Sequence, residues 1–352
     1  MSANLDLLRA IAVLLVLAQH LLRRAEVVSV GLIPVETLGH FGVLLFFVHT
    51  SLVLMYSMQR NRQGSSPQFI RSFYIRRFFR IYPLSTVAIL AAVTLRVTTM
   101  GPVHGLAVTP RASVFATISD LLMMQNVTHA PSIINVLWSL PFEIQMYLLL
   151  PFLFLWIRSR QKAFWPLLSL WGFSVAVAEF QPHIAALSRL SILRFIPNFL
   201  PGVIAFTIAS GLGKRTIRLQ SFLWPAFVLL LVTAFTQAPS FRTGWALCLM
   251  LGLCLPFFAE ITNRGLRTVS HWIATYSYGI YLSHPFAIWI GFGVMAGAPL
   301  WLRIPVLVAL LIGLPVLLYH AVERPMIQIG VSLASGSTNR AILLSRATAA
   351  AD

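Results

Sequence analysis

Residues 136–157 read VLWSLPFEIQMYLLLPFLFLWI, an apolar run with one acid and no base. About 20 such residues cross the hydrocarbon of a bilayer as a helix. Backbone at that depth has no water to bond, so an apolar run this long must be helical to lie in lipid. Comparable runs fall near 5–22, 39–58, 82–100, 163–181, 192–211, 219–236, 241–260, 272–295 and 301–321. The whole chain is 58% hydrophobic and 10% charged over 352 residues. Soluble domains run near 45–50% apolar and about 25% charged. The expected fold is an all-α integral membrane protein, a bundle of about ten transmembrane helices. Residues 1–330 form a single transmembrane domain, and 331–352 form a short disordered tail of small and polar residues. The segment 112–128 carries Asp120 and several Ser and Thr, and is expected to be a surface or re-entrant helix outside that count.

Charge sets the orientation. Lys and Arg number 26 against 9 Asp and Glu, a formal net charge of +17. The bases gather between apolar runs: Arg60, Arg62, Arg71, Arg76, Arg77 and Arg80; then Arg158, Arg160 and Lys162; then Lys214, Arg215 and Arg218; then Arg264 and Arg267; then Arg324, Arg340 and Arg346. The alternate loops hold fewer, among them Arg23, Arg24, Arg111 and Arg242. The positive-inside rule then places both termini in the cytoplasm. With the spans removed no basic surface domain remains, so nucleic acid is not an expected partner. Cys248 and Cys254 lie six apart in one apolar run, on different faces of a helix, which fits neither a disulfide nor a metal site. The first run lacks the basic start and small-residue cleavage site of a signal peptide and is expected to be retained.

Ionisable groups inside spans are costly and mark function by default. The first span carries Arg9 and His20. At 100° per residue they share one face, about 16 Å apart along the axis, with Arg9 toward the cytoplasm and His20 toward the outside. Their bland alternative is an arginine that snorkels or pairs with Asp6, and an interfacial histidine. Glu143 is the one acid expected deep within the spans, at the depth of His20, while Glu179 and Glu260 are expected at solvated span ends. Ser139, Glu143 and Tyr147 are spaced to share a face. A buried carboxylate beside an imidazole is a general-base arrangement; its bland alternative is a carboxylate held by Arg or Tyr for packing. The run FYIRRFFRIYP, from Phe73, is expected to open the third span with Arg76, Arg77 and Arg80 as one cationic patch, suited to phosphates or to ordinary anchoring at lipid headgroups. His49 and His284, each taken alone, fit a structural role better than a catalytic one.

Six segments in register resemble the acyltransferase-3 family of multi-spanning bacterial membrane O-acyltransferases: LDLLRAIAVLLVLAQH, FGVLLFFVHTSLVL, FYIRRFFRIYPL, LLMMQN with NVLWSLPFEIQMYLLLP, YSYGIYLSHP and VERP. The likeness spans about residues 5–326. Three positions depart from it: Thr50-Ser51 stand where the family has Ser-Gly, Leu44 aligns with an acidic position, and Ile144 replaces a second acid. The resemblance implies transfer of an acyl group, most often acetyl, from cytoplasmic acetyl-CoA or another acyl-CoA to a carbohydrate hydroxyl, without a metal. It implies His20 as general base or transient acyl carrier, oriented by Glu143. Arg9, Arg76, Arg77 and Arg80 would hold the donor, and Trp138, Ser139, Tyr147, Asn126, Tyr281 and His284 would face the acceptor. The implied location is the bacterial cytoplasmic (inner) membrane, multi-pass, with the lipid bilayer as partner. Two other classes compete. A transporter or flippase would use Arg9, His20 and Glu143 as a path, yet no repeated halves are found. A scaffold would have no use for an intramembrane histidine and glutamate.

Overall fold

The computed structural model describes residues 2–31, 33–62, 65–97, 112–160, 162–212 and 218–335. Arg111, Lys214, Arg215 and the tail from 336 onward lie outside them. Among the described residues there are thirteen α-helices: α1 (Ala3–Arg24), α2 (Val35–Arg60), α3 (Ser66–Leu95), α4 (Val114–Leu121), α5 (Gln125–Thr128), α6 (Leu140–Arg158), α7 (Phe164–Phe180), α8 (Ala185–Ser188), α9 (Ile196–Gly211), α10 (Leu223–Gln237), α11 (Phe241–Cys254), α12 (Arg264–Trp289) and α13 (Leu300–Leu318). One two-stranded hairpin, β1 (Ser29–Val30) with β2 (Ile33–Pro34), joins α1 to α2.

Every apolar run of the sequence carries a helix. Among the described residues, five helical segments are long and apolar enough to cross a membrane: α1, α2, α3, Asn135–Arg158 and Leu300–Ser335. The apolar helices α9, α10 and Phe241–Phe257 are shorter. At eight residues α4 rises only about 12 Å, too little to cross.

Three boundaries differ from the sequence reading. Helix α3 begins at Ser66, not near 82, because Ser65 and Gln68 form a reciprocal capping box with Pro in the first turn. The arginine motif therefore lies in the body of a 30-residue helix rather than at its opening. Helix α12 starts at Arg264, where the Asn263 side chain accepts the Leu266 amide. Finally, α13 passes through a π-helical stretch, Tyr319–Glu323, and the helix then continues to Ser335, so 331–335 are helical rather than disordered. Ser72 of α3 donates to the Ala334 carbonyl there.

The bundle is built around α2, which packs against α1, α6, α9, α10 and α11. A helix apolar on every side belongs in the middle; Phe41, Leu45, Val48, Leu52 and Met55 are all fully buried. By contrast α13 sits at the rim, with Trp301 at 76% and Leu317 at 61% exposure, as a surface in contact with lipid would be. Small residues let the central backbones meet. A Cβ on Gly202 of α9 would lie 2.2 Å from the Val48 carbonyl and 2.1 Å from the Ser51 hydroxyl of α2. Ser51 itself donates to the Phe199 carbonyl at 2.7 Å, so the departure at Thr50-Ser51 serves the α2–α9 seam through Ser51, while Thr50 faces the cavity described below. Gly202→Ala is expected to destabilise the purified protein by about 1–3 kcal/mol through overpacking, read as a lower unfolding temperature in detergent. Gly172→Ala, which meets nothing within 4 Å, should leave it unchanged.

Candidate active site

Two cavities lie in line within the bundle. The inner one, about 110 Å³, is walled by Arg9, Arg77, Arg80, Glu143, Tyr147 and His49, with Ser139 and Tyr281 at one end. The other, about 190 Å³, is walled by His20, Gln19, Glu36, His40, Trp138 and Tyr281. Val43 and Tyr281 line both. The face shared by Arg9 and His20 on α1 thus runs along both, with α2 and α12 against it.

Electrostatics in the inner cavity are built from α1, α3, α6 and the end of the α13 helix. Tyr147 donates to Glu143 across one helical turn. Arg80 is ion-paired with Glu323, a carboxylate with no exposed side-chain surface. Among the described residues, Arg77 pairs with no carboxylate, and the Nε atoms of Arg9 and Arg77 are buried without a partner. Three guanidiniums against two carboxylates leave one positive charge in excess. Water-poor surroundings make that excess a strong attractor for an anion. Arg76 is not part of it. Its Nε donates to the Ser72 carbonyl of its own helix at 3.2 Å, so the motif divides into two arginines on the cavity and one beside it.

Glu143 and His20 do not share a cavity. Glu143 stands in the first turn of α6, after the 3-10 helix Asn135–Ser139, and lines the cavity of Arg9 instead. The carboxylate in the His20 cavity is Glu36, which Arg23 also meets at 3.1 Å. The ring beside His20 is His284, with centroids 5.1 Å apart. His284 Nδ1 faces the Ile280 carbonyl at 2.9 Å, which places its proton on Nδ1. Its Nε2 is buried and has no hydrogen-bond partner among the described residues. His284 is thus preset as an acceptor next to His20.

A hydroxyl relay lines the passage between the cavities. Tyr281 donates to the Val136 carbonyl at 2.5 Å, and therefore accepts from Ser139 at 2.8 Å. Trp138 stacks on His40 with centroids 6.2 Å apart. Asn126 lies elsewhere: its amide pairs reciprocally with that of Gln145, tying α5 to α6. Arg9 does not pair with Asp6, which instead meets His271 at 2.9 Å. Glu260 accepts from the Ser2 hydroxyl and the Asn4 amide, holding the start of α1. Glu179 pairs with Arg242 at the surface.

Residues the sequence reading missed are Glu323, His40 and Glu36. A sequence signal existed for Glu323, which stands in VERP directly before Arg324; its place beside an apolar run was a reason to treat it as an intramembrane acid.

Comparison with known proteins converges on one chemistry. Residues 2–320 match the family described as acyltransferase domain. Acyltransferase MdmB of Streptomyces mycarofaciens is 28% identical over 325 residues, covering 82% of this chain and 80% of that one. No solved structure is significantly similar. A match that spans nearly the whole apolar bundle means the chain belongs to the acyltransferase-3 family of membrane proteins and is an enzyme that transfers acyl groups other than aminoacyl groups.

Proposed function

We propose that the protein is a membrane O-acyltransferase, an acetyltransferase in its usual reaction, carrying the acyl group of cytoplasmic acyl-coenzyme A to a hydroxyl of an extracytoplasmic or lipid-linked carbohydrate. It would reside in the bacterial cytoplasmic membrane, crossing it about ten times with both termini inside. The observation that carries this reading is the pair of abutting cavities, one cationic and one lined by imidazoles, with Tyr281 and Val43 in the wall of each.

The chemistry divides between them. The donor enters the cationic cavity and presents its thioester at the Tyr281 passage, where Arg9 and Arg77 face the developing negative charge. The acceptor hydroxyl lies against His20, which takes its proton as the oxygen attacks the thioester carbonyl. A C–O bond forms, the C–S bond breaks, and the proton passes to the leaving thiolate. The His284 ring packs against the His20 imidazole, with centroids 5.1 Å apart, and holds it in position. Transient acyl transfer to His20 is the variant of the same geometry. Glu143 acts through Tyr147 and the guanidiniums: it sets the charge of the donor cavity rather than the orientation of His20. Trp138, Ser139 and Tyr281 stand where the acceptor must pass. Closure of such a site to water protects the thioester from hydrolysis.

The test is mass spectrometry of cell-envelope glycans and glycolipids with and without the gene, joined to an assay of coenzyme A thiol release by the purified enzyme. The expected result is loss of one acyl mass from a single glycan class, and thiol release that needs that glycan. Unchanged glycans together with no acyl-coenzyme A turnover would overturn the reading.

A further inference from the structure

A third cavity completes the line. It is the largest of the three at about 350 Å³, and it opens at the end of the bundle where α1 begins and α2 ends. Tyr56, Arg60, Arg218, Phe258 and Glu260 line it, and Val53 is shared with the arginine cavity. Helix α2 therefore borders all three chambers in succession, from Arg60 through Val53 and Val43 to His40 and Glu36.

We infer that this cavity seats the phosphate-bearing nucleotide head of the acyl donor, with Arg60 and Arg218 as its phosphate ligands. The inference rests on the acyl-coenzyme A reading above and assigns that donor a site separate from the Arg77–Arg80 motif. Four observations carry it.

First, size. Pockets for ligands of nucleotide scale run from about 300 to 1,000 Å³. Only this one of the three chambers, at about 350 Å³, falls in that range, while the arginine cavity holds about 110 Å³.

Second, charge. Neither Arg60 nor Arg218 pairs with a carboxylate among the described residues. Glu260, the acid in the same wall, is committed to the Ser2 hydroxyl and the Asn4 amide. Two guanidiniums against one carboxylate leave one positive charge in excess at this cavity, with neither guanidinium ion-paired, which favours a phosphate ligand.

Third, walls. Tyr56 and Phe258 supply aromatic surface at the same chamber, which suits a purine base.

Fourth, reach. A pantetheine arm has about 14 bonds between phosphate and sulfur, and at the advance of an extended chain it spans roughly 17 Å. Along α2, Tyr56 and Val43 are separated by about 20 Å of helix rise. An arm whose phosphate is held at Arg60, about 11 Å of helix rise from the shared Val53, therefore passes Val53 and ends inside the arginine cavity on the way to Val43. Arg9, Arg77 and Arg80 then flank the arm and the thioester.

The experiment compares two donors, acetyl-coenzyme A and acetyl-pantetheine, which lacks the nucleotide, on wild type and on R60A/R218A. Each lost guanidinium is expected to raise KM for acetyl-coenzyme A roughly tenfold, with kcat kept. KM for acetyl-pantetheine should not change. Adenosine 3′,5′-bisphosphate should compete with donor on wild type and lose that effect on the variant. Both arginines are solvent-exposed, so unfolding should be unaltered. Equal losses on both donors, or no loss on either, would overturn the inference. The assay is run in nanodiscs of neutral and of anionic lipid; a KM change seen only with anionic lipid means that the arginines bind lipid headgroups, and the inference falls. A wild-type enzyme that turns over neither donor would instead sink the acyl-coenzyme A reading itself.

Discussion

Replacement of His20 by alanine is expected to lower acyl transfer by a factor on the order of 10²–10⁴, the usual cost of removing a general base. The ring lies in a cavity and is only partly buried, so the folded protein should remain, with an unfolding temperature close to that of wild type. His284→Ala should cost nearly as much in kcat, because the ring 5.1 Å away packs against His20 and sets its position. The two act as one unit, so the double variant should be little worse than His20→Ala alone. Glu143→Gln is a different case. Glu143 stands among guanidiniums in the adjoining cavity, and no hydrogen bond or ion pair links it to His20 among the described residues. Groups without shared partners combine additively, so the His20→Ala/Glu143→Gln pair should show both losses multiplied. Near-normal transfer by His20→Ala in a purified assay would remove His20 from the mechanism. A non-additive His20/Glu143 pair would restore the direct contact that the sequence suggested.

That difference shows where a sequence can be trusted. Hydropathy placed a helix under every apolar run because lipid leaves the backbone no other choice. It could not place α3, whose polar first half, including Arg71, Arg76 and Arg77, is helical by its cap and by tertiary packing rather than by apolarity. Helical phase put Arg9 with His20 and Ser139 with Glu143 and Tyr147, and each set lies along its cavities. Depth was harder. Counting from a span boundary fixes depth only as well as the boundary itself, and Glu143 lines the cavity of Arg9 rather than that of His20. Partners on distant helices, such as Glu323 for Arg80 or His284 for His20, depend on which helices touch, and no local pattern encodes that. The departures at Leu44 and Ile144 are packing positions: Leu44 is 2% exposed, and Ile144 packs against the core, so neither site calls for an acid here.

The second large effect is expected at Arg80. Its partner Glu323 sits in the π-helical stretch after α13 with no exposed side-chain surface, while Arg80 retains 21%. Removing one member of a buried pair strands the other charge and costs about 3–5 kcal/mol. Arg80→Met should therefore unfold well below wild type, and any loss of transfer in that variant alone would be ambiguous. The double variant Arg80→Met/Glu323→Leu resolves it. Exchange of a buried pair for apolar side chains of similar volume is often neutral or stabilising, so thermal unfolding should return to near the wild-type value. Acyl transfer should not return, since Arg80 also lines the donor cavity and the double variant removes its charge from there. Arg77→Met supplies the converse. Arg77 has no carboxylate to strand, so it should keep its stability while KM for the acyl donor rises. If the double variant regains both stability and transfer, Arg80 is structural and Arg9 with Arg77 alone form the cationic wall. If Arg80→Met melts at the wild-type temperature, Glu323 reaches solvent and the closed, low-dielectric character assigned to this end of the cavity is wrong.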